Sequence, residues 1–354
     1  MKLYDLRTLH MNAPVTDETP EFSWRISSGE KNTFETSYRL TVSHDGIEDW
    51  DSGTVTSRQQ AFVRYEGKPL ASQTLYTWRV YVADNHGNTA CAEAAFETAL
   101  PEKTAWQAVW VGCPFTRIPT NEYKFGSSYP PVLFEKRFTL REKPVSARVY
   151  ATACGVYRLY VNGARPDDRE MAPEFTPYDR VHYYQTYDVS TLLRAGENVL
   201  SMYVGDGWYF SAQAGPVMNA PAKEPAVIAQ AEFTYADGTR ETVSTDGSET
   251  CRQSYIVYSD LYQGEKQDFT LGGFEPVPAE VKNYGYAMLK AQMMPPVRPV
   301  RLIAAQRIIT TPAGETVVDF GQNVAGRARI HIDLPRGAKA VFEYFEELDG
   351  PEII

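Results

Sequence analysis

The chain has 354 residues, 43% hydrophobic and 23% charged, which allows about two or three domains with packed cores. Its formal net charge of −10 argues against a nucleic-acid-binding protein, because phosphates would be repelled and no basic segment offsets the charge. The N-terminus lacks an apolar signal core, and no apolar run reaches the roughly 18 residues of a membrane span. We therefore expect a soluble, cytoplasmic protein with no membrane partner.

Residues 1–102 are predicted to form a first small β-sandwich. The segments YRLTV and YTWRVYVAD alternate apolar with polar residues, and Asp45-Gly46 supplies a turn between strands. The inward face of these strands is aromatic and β-branched, which favours a pleated, half-buried surface. The predicted core tryptophans are Trp24, Trp50 and Trp78.

Residues 103–296 are predicted to form a second, jelly-roll-like antiparallel sandwich. This range begins with a linker-like stretch that contains Trp106 and Trp110, followed by a polar loop over residues 114–131. In its centre, GVYRLYV alternates and ends at Asn162-Gly163, a pair typical of a tight hairpin turn. Further alternating segments follow, so an antiparallel sandwich is the expected architecture.

Three segments of this second region occur in a fixed order: GVYRLYVNG, then TPYDRVHYYQTYDVSTLLRAGEN, then GDGWY. This order resembles the N-terminal, non-catalytic domain of bacterial α-L-rhamnosidases. The earlier phrases PEFSW, WDSGTVTS and LYTWRVYVADNHGN are similar to the fibronectin type III-like domain that commonly opens those proteins. The resemblance implies an all-β fold of tandem antiparallel β-sandwiches.

Two further comparisons with the family bear on the resemblance. A tyrosine, a Gly-Glu pair and an aspartate recur near the end of the family's N-terminal domain, and the matching residues here are Tyr262, Gly264, Glu265 and Asp268. The family usually has a tryptophan shortly after the preceding Asp-Gly turn, where this chain has Glu249 and Thr250. That departure concerns the local packing.

Residues 297–354 are predicted to begin a third β-domain. The segment VDFGQNVAG and a later LDG resemble the start of the next rhamnosidase β-domain. Between them, Ala328, Ile330, Ile332 and Leu334 alternate with polar residues, which predicts a strand half exposed to water. Because the family continues through this domain into an α/α barrel, we expect an N-terminal fragment with a truncated third domain.

The resemblance implies an inverting glycoside hydrolase, which uses one carboxylic acid and one carboxylate. In the family both groups come from the barrel, so no catalytic residue is expected in this chain. The acidic pairs Asp167-Asp168 and Glu346-Glu347 are predicted to be solvated charge clusters. The five histidines have no zinc-site spacing, and the four cysteines are predicted to be reduced, buried thiols.

A sugar-binding site on the second sandwich is the more specific hypothesis. Some domains of this rhamnosidase group bind L-rhamnose through a calcium ion held by Asp and Asn side chains and a backbone carbonyl. Structural roles remain an alternative, because turn formation explains Asn162, backbone hydrogen bonding explains Asp206 and packing explains Trp208. No cofactor is required otherwise. The predicted sugar-binding residues are Asn162, Asp179, Asp206, Trp208 and Tyr209, and the possible calcium ligands include Asp179 and Asn219.

The sequence therefore predicts the N-terminal, non-catalytic portion of an enzyme that hydrolyses terminal α-L-rhamnose from glycosides or polysaccharides. Its expected partners are a rhamnose-containing carbohydrate and its own C-terminal catalytic domain. Two alternatives stay open. One is a stand-alone carbohydrate-binding or adhesion module without an enzyme, and the other is a structural scaffold that docks a partner chain through unpaired final strands.

Overall fold

The structure is a computed structural model that describes residues 1–100, 105–116, 118–119, 127–211, 222–261, 264–346, 348–349 and 352–353. Regular structure in these residues is almost entirely β-strand, as the alternating sequence segments predicted. Within the same residues no helix has the length and apolar character needed to span a bilayer.

The first sandwich consists of two facing sheets. One sheet has the order β1-β3-β7, and the other has the order β2-β9-β8-β4-β5, with β6 paired to β4. All pairs are antiparallel except β2 with β9. The strands are β1 (Lys2–Thr8), β2 (Val15–Thr16), β3 (Glu21–Ser27), β4 (Glu35–His44), β5 (Ile47–Asp51), β6 (Val55–Thr56), β7 (Val63–Arg64), β8 (Leu75–Asp84) and β9 (Thr89–Thr98).

The core of the first sandwich is aromatic, as predicted. Trp24 and Trp78 are buried, and the half-buried Trp50 packs against the same cluster. The turn at Asp45-Gly46 has φ of 46° and 79°, the two positive values that a tight hairpin turn needs. Short-range turn chemistry and strand alternation were sufficient to predict this region.

The second sandwich has a larger sheet of order β24-β10-β18-β14-β16-β25, with β19 on β18, and a five-stranded sheet of order β15-β17-β13-β20-β23. Its elements are β10 (Trp110–Gly112), β11 (Ile118–Pro119), β12 (Ser127–Ser128), β13 (Val132–Leu140), β14 (Ser146–Cys154), β15 (Val156–Val161), β16 (His182–Asp188), β17 (Gly196–Gly205), α1 (Gly207–Phe210), β18 (Ala226–Thr234), β19 (Arg240–Ser244), β20 (Thr250–Arg252), β21 (Ile256–Asp260), β22 (Gly264–Gln267), β23 (Val277–Pro278), β24 (Glu280–Lys282) and β25 (Leu289–Ala291).

The linker-like stretch belongs to the second sandwich. Trp106 and Trp110 are buried in one cluster with Tyr184 and Tyr209. Trp110 also donates from its indole Nε1 to the carbonyl of Gly285 at 2.8 Å. The sequence did not show this, because burial of an isolated tryptophan depends on partners distant in sequence.

Glu249 stands where the resembling family has a tryptophan, and it is a buried charge with a partner. Its carboxylate accepts from the Gly247 backbone N–H at 2.8 Å and lies 3.2 Å from the Lys136 ammonium. The Lys136 ammonium also bonds the Asp246 carboxylate at 2.5 Å. An ion pair therefore connects β13 to the turn before β20.

Three of the four cysteines are buried free thiols, as predicted: Cys113, Cys154 and Cys251. Cys91 is also free but exposed, which corrects the expectation that all four are buried. It lies on β9 of the first sandwich, where successive side chains alternate between the core and the surface.

The third region is short of paired structure. Its described residues form two hairpins, one of β26 (Arg307–Thr310) with β27 (Thr316–Asp319) and one of β28 (Leu348–Asp349) with β29 (Glu352–Ile353). The predicted strand over residues 328–334 is wrong, since residues 322–346 form no strand. Arg327 joins this region to the second sandwich through an ion pair with Glu170 at 2.7 Å.

Candidate sugar-binding site

The candidate site lies where β17 runs into α1. The sequence Gly205-Asp206-Gly207 makes a sharp bend in which Gly207 has φ of 53°. A Cβ at this position would lie 2.7 Å from both the Cβ and the backbone N of Val156, so only glycine fits. The bend places Trp208 and Tyr209 on a single helical turn at the end of the five-stranded sheet.

A second segment, residues 172–181, packs against this turn. Its backbone closes through Arg180 and Val181, whose N–H groups donate to the Pro177 carbonyl at 2.7 and 3.0 Å. Tyr178 is buried and donates its hydroxyl to the Glu174 carbonyl at 2.8 Å. The loop is therefore held in a defined shape beside α1.

The two segments together form a partly exposed aromatic surface. The rings of Phe175 and Trp208 lie 6.1 Å apart at 59°, and the Phe175 side chain is 55% exposed. Tyr178 packs beneath them, with its ring 6.3 Å from Phe175 and 4.9 Å from Tyr209. Exposed rings can stack on the C–H faces of sugars, which gives this surface its candidate role.

Burial shifts the pKa values of the groups below the surface toward their neutral forms. Burial lowers the pKa of His182 to about 4, and its Nε2 lies 3.0 Å from the Ala153 carbonyl. Burial also raises the pKa of the Tyr209 and Tyr178 hydroxyls and of the Glu174 carboxyl. These groups support the loop and the turn rather than supplying charge to a ligand.

Of the five predicted sugar-binding residues, the structure brings three together. Asp179 is exposed on the loop, Trp208 is half-buried on the adjoining turn, and Tyr209 is buried beneath it. Sequence reasoning missed Phe175 and Tyr178. The two prolines of the segment APEFTPYDR mark it as a shaped loop and are the signal that could have identified them.

Asp206 is turned inward and not toward this surface. Its side chain is fully buried, and its carboxylate accepts hydrogen bonds from the Ser128 hydroxyl at 2.7 Å and the Tyr129 N–H at 3.2 Å. It therefore ties two segments of the sandwich together, which is the structural role that backbone hydrogen bonding suggested.

Asn162 lies at the far end of the same sheet. β15 runs antiparallel to β17 with Val156 opposite Gly205 and Val161 opposite Leu200. Six residues at about 3.3 Å each separate Asn162 from the Val156 end by roughly 20 Å. Its amide group is also occupied, since it donates to Leu192 and accepts from Val199.

The described residues do not assemble a calcium site from the predicted oxygens. Asp206 and Asn162 are committed elsewhere, Asn219 lies outside the described residues, and Asp179 is followed by the exposed cation Arg180. Calcium takes about six to eight oxygen ligands. In the described part of the chain no three His, Cys, Asp or Glu side chains cluster so as to hold a metal.

The two acidic pairs of the sequence analysis lie outside this surface. Asp168 pairs with Arg298, and Asp167 lies 3.3 Å from Arg169. Glu346 is exposed, whereas Glu347 falls outside the described residues.

The family-matched residues before β23 are structural. The Glu265 carboxylate accepts from Ser259 at 3.0 Å, and Asp268 accepts from the Thr270 N–H at 2.9 Å. Gly264 begins β22, and Tyr262 is outside the described residues. These contacts shape the β21–β22 hairpin and its exit.

Three family profiles match the chain in order. Residues 3–102 match the Rha78A-like N-terminal immunoglobulin domain, and residues 142–301 match the alpha-L-rhamnosidase N-terminal domain. Residues 309–353 match the bacterial alpha-L-rhamnosidase concanavalin-like domain.

Relatives extend the match across most of the chain. An alpha-L-rhamnosidase of Alteromonas sp. (strain LOR) is 28% identical over 94% of this chain and 38% of its own length. The solved alpha-L-rhamnosidase from Dictyoglumus thermophilum is 28% identical, with a TM-score of 0.80 over 91% of this chain and 39% of that one. A Streptomyces avermitilis alpha-L-rhamnosidase, solved with L-rhamnose, shares the fold at a TM-score of 0.77 and 21% identity, over 91% of this chain and 49% of that one. The chain thus spans well under half the length of the first of these relatives.

Proposed function

Because the chain belongs to the α-L-rhamnosidase family and carries its N-terminal domains, we propose that it serves as the non-catalytic part of an enzyme that removes terminal α-L-rhamnose from glycosides or polysaccharides. The observation that carries this proposal is the ordered match of three rhamnosidase domain profiles along the chain. Its partners would be a rhamnose-containing carbohydrate and a catalytic domain such as the longer relatives contain.

Hydrolysis of p-nitrophenyl α-L-rhamnoside tests this division of labour. We expect the 354-residue chain to show no turnover, because its acidic pair Asp167-Asp168 is engaged with arginines on the protein surface. Turnover that disappears in Asp167→Asn, Asp168→Asn or Glu346→Gln would contradict the proposal. A longer relative assayed in parallel serves as the positive control.

The aromatic surface of Phe175 and Trp208 is the part of the chain that we propose contacts the sugar. Two neighbouring rings, one more than half exposed, present apolar faces, and the exposed Asp179 lies on the loop that carries Phe175. This supports weak, millimolar recognition of a terminal rhamnose, which corresponds to roughly 4 kcal/mol of binding free energy.

Calorimetric titration with L-rhamnose tests the surface directly. We expect Phe175→Ala to weaken binding by about tenfold, because a stacked ring contributes on the order of 1 kcal/mol beyond its buried area. Phe62→Ala is the matched control, since Phe62 is 59% exposed on the first sandwich and distant in sequence. Equal heats for the wild type and Phe175→Ala would remove the aromatic surface from the proposal.

Repeating the same titration with a chelator tests whether binding needs calcium. We expect a chelator to leave the heat unchanged, because the cation Arg180 follows the exposed Asp179 in sequence and no three His, Cys, Asp or Glu side chains of the described residues cluster to hold a metal. A heat that requires calcium, and that is lost in both Asp179→Ala and Asn219→Ala, would instead restore these two residues as ligands.

A further inference from the structure

A second surface of the same sandwich has the composition of a binding groove. It lies on the outer face of the five-stranded sheet, whose inner face forms the core. Side chains there alternate in and out, so the outward residues form two rows across the strands. One row consists of Arg158, Tyr203, Leu133 and Arg252, and the next consists of Tyr160, Ser201, Glu135 and Thr250.

The segments that flank β21 and β22 make a wall along this face. The Ser254 hydroxyl bonds the Tyr203 hydroxyl, which fixes the wall to the sheet. Tyr255 stacks on Phe269 with ring centroids 4.8 Å apart at 22°, and the Asp268 N–H donates to the Tyr255 carbonyl at 2.8 Å. The wall is thus held by side-chain and backbone contacts.

The sheet and the wall border an open groove of about 910 Å³. Its lining residues include Tyr160, Tyr203, Tyr255 and Phe274. Small-molecule sites usually measure about 300–1,000 Å³ and combine apolar rings with a few polar groups. Four aromatic rings in an open groove can stack on the apolar faces of a long, flat ligand, such as a chain of pyranose rings.

The charges of the groove oppose those of the whole chain. Two arginines, Arg194 and Arg252, line it with a single carboxylate, Glu135. Glu135 lies 3.6 Å from Arg252, so these two charges offset each other. Arg194 is exposed and donates its Nε to the Glu197 carbonyl at 3.0 Å, and no carboxylate of the described residues pairs with its guanidinium.

The location of Arg194 is set by the hairpin turn of β15. The Asn198 side-chain oxygen accepts from the Arg194 N–H at 3.1 Å and from the Asn162 amide at 2.9 Å. The guanidinium therefore stands at one end of the groove on a hydrogen-bonded base. In a protein of net charge −10, this local excess of one positive charge selects for an anionic ligand.

We propose that this groove binds an acidic oligosaccharide, a chain of pyranose rings that carries carboxylates. The rings of Tyr160 and Tyr203 stack on the sugar, and Arg194, whose charge Glu135 does not offset, binds a carboxylate of the chain. The proposal goes beyond rhamnoside hydrolysis and is independent of the Phe175 and Trp208 surface, which lies at the other end of the sheet.

The test is calorimetry of the intact 354-residue chain with tetragalacturonate and with its fully methyl-esterified, neutral form. We expect the acid to bind at least tenfold more tightly than the ester. Arg194→Gln should weaken binding several-fold and reduce its salt dependence. Tyr160→Ala should weaken it by about tenfold, whereas Tyr160→Phe, which keeps the ring, should bind as the wild type does.

Arg240→Gln is the matched charge control, because Arg240 is exposed on the larger sheet. It should leave binding unchanged. Three results would each overturn the proposal: no binding of the acid by the folded wild type at millimolar concentration, equal affinity for acid and ester, or wild-type affinity in both Arg194→Gln and Tyr160→Ala. A Phe175→Ala variant that loses rhamnose but keeps tetragalacturonate would separate the two sites.

Discussion

Strand β8 of the first sandwich and residues 327–334 of the third region alternate apolar and polar residues in the same way, yet only β8 is a strand. In β8, Tyr76 and Trp78 are 1% and 0% exposed. In the third region, Ile330 and Ile332 are 45% and 49% exposed.

The difference lies in the neighbours. β8 pairs with β4 on one side and with β9 on the other along most of its length. Residues 327–334 have no paired strand in the described part of the chain. Alternation decides which face of a segment is apolar, but adjacent strands and a facing sheet decide whether that face becomes a core.

The largest expected effect comes from truncating the buried member of this comparison. Trp78→Ala should lower the free energy of unfolding of the first sandwich by about 3–5 kcal/mol, because it leaves a large cavity. Ile332→Ala is the control and should change stability by no more than about 0.5 kcal/mol. Urea unfolding measures both, and a comparable loss in Ile332→Ala would mean that the third region has a packed core.

A buried ion pair of the second sandwich and an exposed ion pair of the third region should differ in the same way. Lys136→Ala should cost about 3 kcal/mol, because it leaves the buried Glu249 carboxylate unpaired, and the double variant with Glu249→Gln should recover part of the loss. Arg307→Ala removes the exposed pair with Asp319 and should cost less than about 1 kcal/mol. Equal losses in chemical denaturation would contradict the burial difference.

A pH titration of stability probes a buried carboxyl of the first sandwich. Glu35 Oε2 accepts from the Trp24 indole at 2.9 Å, while Oε1 has no hydrogen-bond partner among the described residues. Burial raises the pKa of Glu35 from 4.5 to about 7. Because the folded pKa is the higher one, the stabilisation is complete below the unfolded value and is lost as the pH rises through the folded value.

We therefore expect Glu35 to lower the free energy of unfolding by roughly 2 kcal/mol between about pH 5 and pH 8, so that the wild type has a more negative slope over this range than Glu35→Gln. Tryptophan fluorescence during urea unfolding is the measurement. Asp319→Asn is the comparison from the third region, where the Gly321 N–H and Arg307 lower the carboxyl pKa. It should leave the slope unchanged, and a slope that survives Glu35→Gln would assign it to another group.

The smallest expected difference concerns two glycines. Gly207→Ala should destabilise by about 2–3 kcal/mol, since the new Cβ meets Val156 and φ is positive. Gly314→Ala in the third region has a positive φ but open space around it, so about 1 kcal/mol is expected. Thermal unfolding of both variants would expose any reversal of this order.

The sequence pointed to some residues of the candidate surface but not to how they are arranged in space. The segment GDGWY indicated a turn with exposed aromatic character, and Trp208 and Asp179 do lie at one end of the sandwich. Phe175 was missed, because nothing local places residues 172–181 beside α1. Asn162 and Asp206 were grouped as ligands although the antiparallel register of β15 and β17 puts them at opposite ends.

By itself, the sequence determined the structural features that depend on residues close together in the chain. The positive φ angles at Asn162-Gly163 and Asp45-Gly46, the alternation of the strands and the aromatic core positions follow from residue types a few positions apart. The ordered segments also identified the family. Each of these features depends on residues that are close together in the sequence or that occur in a fixed order along it.

Only the tertiary structure decided which ends, faces and loops meet. It buried Trp106 and Trp110, paired Lys136 with Glu249 and left Ile330 exposed. It also brought Tyr160, Tyr203 and Arg194 to one groove. Each outcome depends on strand pairing between residues tens of positions apart, which residue type and spacing do not specify.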